Sequence, residues 1–316
     1  MDLDVVFLGT GGSVPSARRS TAAVLVRRGG ERLLFDCGEG TQRQMQRSTG
    51  FVQLDRVFIT HFHADHWLGL PGLLKTYDLQ GRERPLELIG PPGLGDLMRV
   101  LDRLIGRVSY GLELTELEAG DAVAIEGAEV RSFAVEHRGR AQGYALVERS
   151  RPGHLDAEEA KRLGVESGPA FGALQRGEEV AGADGPVRPD QVMGTERAGR
   201  KLVITGDSAP CEMTRIAAHE ADVLVHDGSF ADEEAERAAE TGHSTARDAA
   251  RLAREADVRF LALVHVSSRY NVGAVLDEAR EEFPAAEAPR DFDLLEVPFP
   301  ERGAPKLVHN GARETV

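Results

Sequence analysis

The run THFHADHWLGL, beginning at Thr60, constrains this chain more than any other segment. It follows directly on RVFIT, whose apolar, β-branched centre reads as a buried strand. His61, His63, Asp65 and His66 therefore crowd into six residues where the chain leaves a sheet. Neutral imidazole and carboxylate are the preferred ligands of Zn²⁺ and similar ions. His61 and His63 point to one side, while Asp65 and His66 are carried round toward a second position. Such a cluster at the end of a buried strand points to a metal centre.

Three more candidates stand on other strand ends. His137 follows FAVE, Asp207 follows LVITG, and His265 follows LALV. Each alone reads equally well as a capping Asp or a satisfied core His. Together with His61, His63, Asp65 and His66 they give enough donors for two ions. Two ions roughly 3.5–4 Å apart can hold a hydroxide between them and polarise a phosphoryl or carbonyl oxygen.

The strand-like runs that deliver these residues recur throughout the chain: LDVVFLG from Leu3, TAAVLVRR from Thr21, RLLFD from Arg32, LELIG from Leu86, EVRSFAV from Glu129, GYALVE from Gly143, KLVITG from Lys201, DVLVHD from Asp222 and FLALVH from Phe260. Helical patterns lie between them. From Pro92 to Ile105, Leu94, Leu97, Leu101 and Leu104 are spaced along one face, and Ala231–Glu240 and Thr245–Glu255 are rich in Ala, Glu and Arg. Thr245 with Asp248 three residues on resembles a capping box. Strands interleaved with helices predict a layered α/β protein. The segment from Ser150 to Arg200 departs from this pattern, with nine glycines, four prolines and one clear helical piece, DAEEAKRL from Asp156. A stretch of that kind within a compact domain reads as a functional projection or a linker.

Composition narrows the classes. At 316 residues, 41% hydrophobic and 28% charged, the chain is long enough for a real core and is not disordered. No apolar run approaches the roughly 20 residues needed to span a bilayer, so no membrane association is expected. The acidic start MDLDVVFLGTGG reads straight into a strand rather than a secretory signal. Cys37 and Cys211 cannot build a disulfide framework, and a reduced cytoplasm is expected. The net charge of −14 argues, as a mean field, against a polyanionic partner. A metal site brings its own positive charge, however. Four lysines against 34 arginines fit either a salt-rich cytoplasm or a GC-rich genome. GTGGSVPS after the first strand reads as a tight turn, and Trp67 as packing against the metal loop. Ser267, Ser268, Arg269 and Tyr270, just past His265, have the chemistry to hold a phosphate.

The motif HxHxDH, followed by single His, Asp and His residues on later strands, resembles the metallo-β-lactamase superfamily. Within it the chain looks like the ribonuclease Z family, endonucleases that trim the 3′ trailer from precursor tRNA. The likeness runs through FLGTGGSVPSARRS, FDCGEGTQRQM from Phe35, GPAFGALQRGEEV from Gly168, TGDS from Thr205, GHSTARDAA from Gly242 and HVSSRY from His265. It implies a four-layer αββα sandwich, a single domain over 1–316, with a flexible tRNA-binding arm inserted at 153–199. It implies two Zn²⁺ per chain, with Mn²⁺ or Fe²⁺ admitted by the same donors. His61, His63 and His137 would hold one ion and Asp65, His66 and His265 the other, with Asp207 between them. Asp65 also falls where the family orients the attacking hydroxide. His243 falls on the family's HST histidine, which helps the leaving 3′-oxygen. The family pairs that histidine with the Glu of an HEAT motif, where this chain has Asp227. Arg18 and Arg19 match basic residues that meet the tRNA end, and the resemblance further implies a homodimer acting on precursor tRNA.

The arm is not basic overall, with eight Lys/Arg against nine Asp/Glu from Arg151 to Lys201. Its grip would then come from a few focused arginines, Arg176, Arg188 and Arg197, or from glycine-rich backbone. Two rival functions remain: a small-molecule phosphodiesterase, arylsulfatase or lactonase of the same fold, and a non-catalytic RNA-binding relic. The projecting segment weighs against the first and the complete donor set against the second.

Overall fold

A computed structural model describes residues 1–309. Two mixed sheets lie face to face. The first runs Lys306–Val308, Leu294–Glu296, Leu3–Gly9, Ala23–Arg28, Glu31–Phe35, Arg56–Phe58, Leu86–Gly90, Leu112–Glu116 from edge to edge. The second runs Ala286–Glu287, Leu261–Val264, Val223–Asp227, Lys201–Ile204, Gln142–Glu148, Ala128–Ala134, Ala122–Ile125. Side chains alternate across a strand, and here both faces are buried. Val5 and Phe7 point into the core between the sheets, where they meet Tyr144, Leu202 and Val225. Val6 and Leu8 point outward beneath a helical layer carrying Met45, Leu73, Leu74 and Met98. On the far side, Val203, Leu224 and Leu261 are covered by Ala249, Ala253 and Val275. The result is the expected αββα sandwich.

One helix face differs from the sequence reading. In Leu94–Ile105 the buried side chains are Leu94, Met98 and Leu101, whereas Leu104 is 75% exposed. At about 100° per residue, Leu97 and Leu104 fall to one side of the stripe made by Leu94, Met98 and Leu101, so Leu97 is half-buried and Leu104 faces solvent. Thr245 does cap its helix, its hydroxyl accepting the Asp248 N–H at 3.0 Å. Among the described residues no helix is long and apolar enough to cross a membrane. Cys37 and Cys211 are both free thiols.

The inserted segment also holds more structure than its composition suggested. Helices Ala157–Arg162, Pro169–Gln175 and Pro189–Val192 pack with a short hairpin, Val180–Gly182 and Gly185–Val187. Ala160, Val165, Leu174, Val187 and Val192 form a small core separate from the three above. Far from a structureless insertion, the arm is a miniature folded unit. Its root is narrow: Arg151 bridges Arg197, and a Cβ at Gly153 would stand 2.1 Å from the Gly194 carbonyl oxygen. Below the root, Glu148 is buried between the guanidinium groups of Arg28 and Arg200, at 2.8 and 2.7 Å. Burial opposes its charge, but Arg200 and then Arg28 hold its carboxyl below the usual range.

Candidate metal centre

The seven residues expected to bind metal converge at the ends of strands from both sheets. His61, His63, His137 and Asp207 form one group of mutually close donor atoms, and Asp65, His66 and His265 another. Asp207 stands between them. Its Oδ2 lies 3.7 Å from His61 Nε2 and 3.9 Å from His137 Nε2, and its Oδ1 lies 3.2 Å from His66 Nε2 and 3.4 Å from His265 Nε2. His137 Nε2 is 3.1 Å from His63 Nδ1, and His265 Nε2 is 3.1 Å from Asp65 Oδ2.

The outer ring nitrogens of four of these histidines are held from behind. His61 Nδ1 meets Thr60 Oγ1 at 3.0 Å, and that hydroxyl contacts Asp36. His66 Nδ1 donates to Asp36 Oδ2 at 2.8 Å, His137 Nδ1 to the Gly242 carbonyl at 2.7 Å, and His265 Nδ1 to Ser229 Oγ at 2.8 Å. Such partners fix the tautomer and turn the other nitrogen toward a metal. That inward side is where bonding stops. His61 Nε2, His66 Nε2 and Asp207 Oδ1 are buried and have no hydrogen-bond partner. Orphaned polar atoms are rare in a folded core, and these converge with the donor chemistry of Zn²⁺. The residues present thus fit the ions the sequence implied.

The electrostatics agree. Burial drives the His61 imidazole well below its ordinary pKa, with the neighbouring His66 adding to the effect. Burial also opposes charge on His66 and His265, but there the carboxylates win. Asp207 and Asp36 raise His66, while Asp207 and Asp65 push His265 up to about 9. Burial disfavours ionised Asp207 as well, yet the surrounding imidazoles, His265 and His66 foremost, hold it well below the usual range.

His243 stands beside the cluster, its ring centroid 5.0 Å from that of His137 and 5.3 Å from that of His265. His243 Nδ1 donates to Asp227 Oδ2 at 2.6 Å. Aspartate, one methylene shorter than the family's glutamate, reaches. Burial lowers the His243 pKa, but the Asp227 hydrogen bond and charge outweigh it and raise it overall. Asp227 and His243 also lie close enough to Asp207 and His265 to suggest a further metal group. Asp227 is closed to one, because both its oxygens are already taken up by protein donors.

The five candidate substrate residues divide. Arg269 stands near the rim, its guanidinium 5.5 Å over the Phe230 ring, which in turn lies 6.0 Å from His243. Its Nε donates to Ser267 Oγ at 3.3 Å. Arg18 is exposed. Arg19 is turned inward, its Nη1 donating to Thr10 Oγ1 at 2.6 Å and to the Pro289 carbonyl at 3.0 Å, so that guanidinium ties two loops together. Arg176 lies on the arm, paired with Glu178 at 2.7 Å. Trp67 packs as expected, its indole N–H donating to the Phe62 carbonyl at 3.1 Å.

Sequence reasoning missed the supporting residues Asp36, Thr60 and Ser229, and the part played by Gly12. Asp36 and His265 both sit in the left-handed region, at φ 57° and 60°, which aims their side chains into the site. Gly11–Gly12 pairs with Val266–Ser267, and a Cβ on Gly12 would fall 2.2 Å from the His265 ring. The glycine in GTGG is a cradle for that ligand as well as a turn. A Gly–Gly pair after a strand was the available signal.

The metallo-beta-lactamase superfamily matches residues 17–265. A protein named ribonuclease Z from Methanosarcina acetivorans is 46% identical over 301 residues, covering 94% of this chain and 99% of that protein. Another from Haloferax volcanii is 49% identical over 306 residues, covering 95% and 96%. The crystal structure of the short form of human tRNase Z superposes with a TM-score of 0.66 at 28% identity, covering 93% of this chain and 99% of that one. Sequence, fold and donor set together place this chain in the ribonuclease Z family of metal-dependent metallo-β-lactamase-fold hydrolases.

Proposed function

We propose that the chain is an endoribonuclease that removes the 3′ trailer from precursor tRNA and leaves a 3′-hydroxyl on the tRNA. It would work in the cytoplasm as a homodimer, with two zinc ions per chain held by His61, His63 and His137, by Asp65, His66 and His265, and by Asp207 shared between them. Ions bound there supply a hydroxide nucleophile at neutral pH and polarise the phosphoryl oxygens. The chain's own groups do the rest. Asp65 directs the nucleophile, and Asp207 draws the two halves of the donor set together. His243 Nε2 protonates the departing ribose 3′-oxygen, because an alkoxide is a poor leaving group. Asp227 fixes the proton of His243 on Nδ1 as an anchor and leaves Nε2 to act.

The observation that carries this reading is the His243–Asp227 pair beside the donor cluster. A raised imidazole held by a buried carboxylate suits a reaction whose leaving group needs a proton. The reading also draws support from the names of full-length relatives. Incubating the protein with a precursor tRNA and mapping the cut on a sequencing gel tests it. The expected product is a tRNA ending in a 3′-hydroxyl at the trailer junction. An intact precursor, alongside hydrolysis of a small phosphodiester, would favour the small-molecule alternative.

A further inference from the structure

Asp227 is fully buried and its carboxylate is saturated. Oδ2 accepts from His243 Nδ1 at 2.6 Å and from the Ser208 N–H at 3.2 Å. Oδ1 accepts the Ser229 N–H at 2.8 Å and the Ser229 hydroxyl at 2.6 Å. A serine hydroxyl has one proton to give. The His265 carbonyl competes for it from 3.1 Å, but the shorter bond to a carboxylate is the stronger one. With its proton on Asp227, Ser229 Oγ can only accept from His265 Nδ1 at 2.8 Å. His265 Nδ1 then holds a proton, which leaves Nε2, the atom facing Asp65 and Asp207, as the nitrogen that would take up a metal.

The result is one continuous chain: His265 Nδ1–H to Ser229 Oγ–H to Asp227, with His243 Nδ1–H meeting the same carboxylate from the other side. The His243 and His265 rings also stack, with centroids 5.3 Å apart and planes 11° from parallel. The partners of His61 and His66, Thr60 and Asp36, lie elsewhere. We propose that Ser229 is a positioning residue shared by the two halves of the site, fixing the tautomer of one metal ligand and the orientation of the carboxylate that anchors the proton donor. The proposal rests on the metal-dependent reading above.

Removing the hydroxyl leaves the buried His265 Nδ1–H without an acceptor, so the proton is free to move to Nε2 and block the metal-facing atom. It also costs Asp227 one of its four donors. Loss of such an outer partner typically weakens metal binding or activity by about 10–100-fold. The test is a Zn²⁺ titration of chelator-stripped protein against a chromogenic competitor, for the wild type, Ser229→Ala and Ser229→Thr. In Ser229→Ala, one of the two sites should weaken by about 10–100-fold while the other holds. Ser229→Thr, which keeps the hydroxyl, should restore it. At saturating zinc, Ser229→Ala should lose more on a substrate with an alkoxide leaving group than on a nitrophenyl ester, whose departure needs no proton. Unchanged affinity at both sites in Ser229→Ala overturns the proposal. Equal weakening at both sites, shared by Ser229→Thr, also overturns it, because that is a general packing defect. A wild-type protein without metal sites would overturn this inference and the reading beneath it together.

Discussion

Charge is handled in opposite ways at the strand ends and in the arm. At the strand ends, His61 Nε2, His66 Nε2 and Asp207 Oδ1 are buried, converge on one another and find no hydrogen-bond partner. In the arm, Lys161, Arg162, Arg176 and Arg188 each sit on a carboxylate two or three residues away, and Arg197 reaches Glu301. The first region is left incomplete in a way that a cation completes. The second is already neutralised from within. Exposed pairs of this kind are weak, and they would have to yield before these guanidinium groups met a phosphate. The two regions also fold on separate cores, and a change in one should spare the other.

The largest expected effect comes from the residue common to both metal groups. Asp207→Ala should abolish metal uptake and cut hydrolysis of precursor tRNA and of a small nitrophenyl phosphodiester alike, by more than about 10⁴-fold. Retained hydrolysis of either substrate at normal metal content would break the contrast at its deeper end.

His243→Ala should lower kcat on precursor tRNA by about 10²–10⁴-fold with metal content unchanged. On the nitrophenyl ester, whose leaving group needs no proton, the defect should largely vanish. An equal defect on both substrates would remove His243 from the proton-donor role. Asp227→Asn should cost less. Asp227→Glu adds a methylene to a fully buried, saturated carboxylate, an overpacking that costs about 1–3 kcal/mol and that a thermal melt would register.

Replacing 153–199 with a short Gly/Ser linker sharpens the other side. Nitrophenyl ester hydrolysis should survive, while precursor-tRNA cleavage drops by about 10²-fold or more, as expected when remote binding energy is lost. Because the arm's cations are already paired, tRNA binding by the intact protein should show a shallow salt slope. A steep slope that flattens on arm removal would contradict the neutralised-arm account.

The smallest effect belongs to the root. Glu301 accepts from Arg151 at 2.9 and 3.1 Å and from Arg197 at 3.1 Å, and Arg151 lies 3.4 Å over the Phe299 ring. Glu301→Gln should raise KM for precursor tRNA by about a few-fold at most and leave nitrophenyl hydrolysis unchanged. Arg151 holds the Glu301 carboxyl down from its ordinary 4.5 to about 2. A depressed carboxyl stabilises above its unfolded pKa, so the clasp should persist at neutral pH and be lost only as pH falls toward about 2.

How far the sequence could be read depended on distance along the chain. Strand ends carrying His61–His66, His137, Asp207 and His265 were legible because each buried run is continuous and each donor follows it directly. The supporting residues were not. Ser229 lies 36 residues from His265, and Asp36 lies 30 from His66, and only folding brings them together. The arm hid its structure for a different reason. Its strands are three residues long, too short for alternation to register, and its core is assembled from single apolar residues scattered among glycines. Arg19 looked available for RNA because a pair of adjacent arginines carries no sign of which one turns inward.

The central claim is that the orphaned donors at the strand ends exist for metal and that hydrolysis depends on it. Mass spectrometry of metal in untagged protein, set beside its cleavage rate before and after chelation and refilling, tests that most directly. The expected result is about two ions per chain, activity lost with the metal and regained with it. Full cleavage of precursor tRNA by metal-free protein would contradict it.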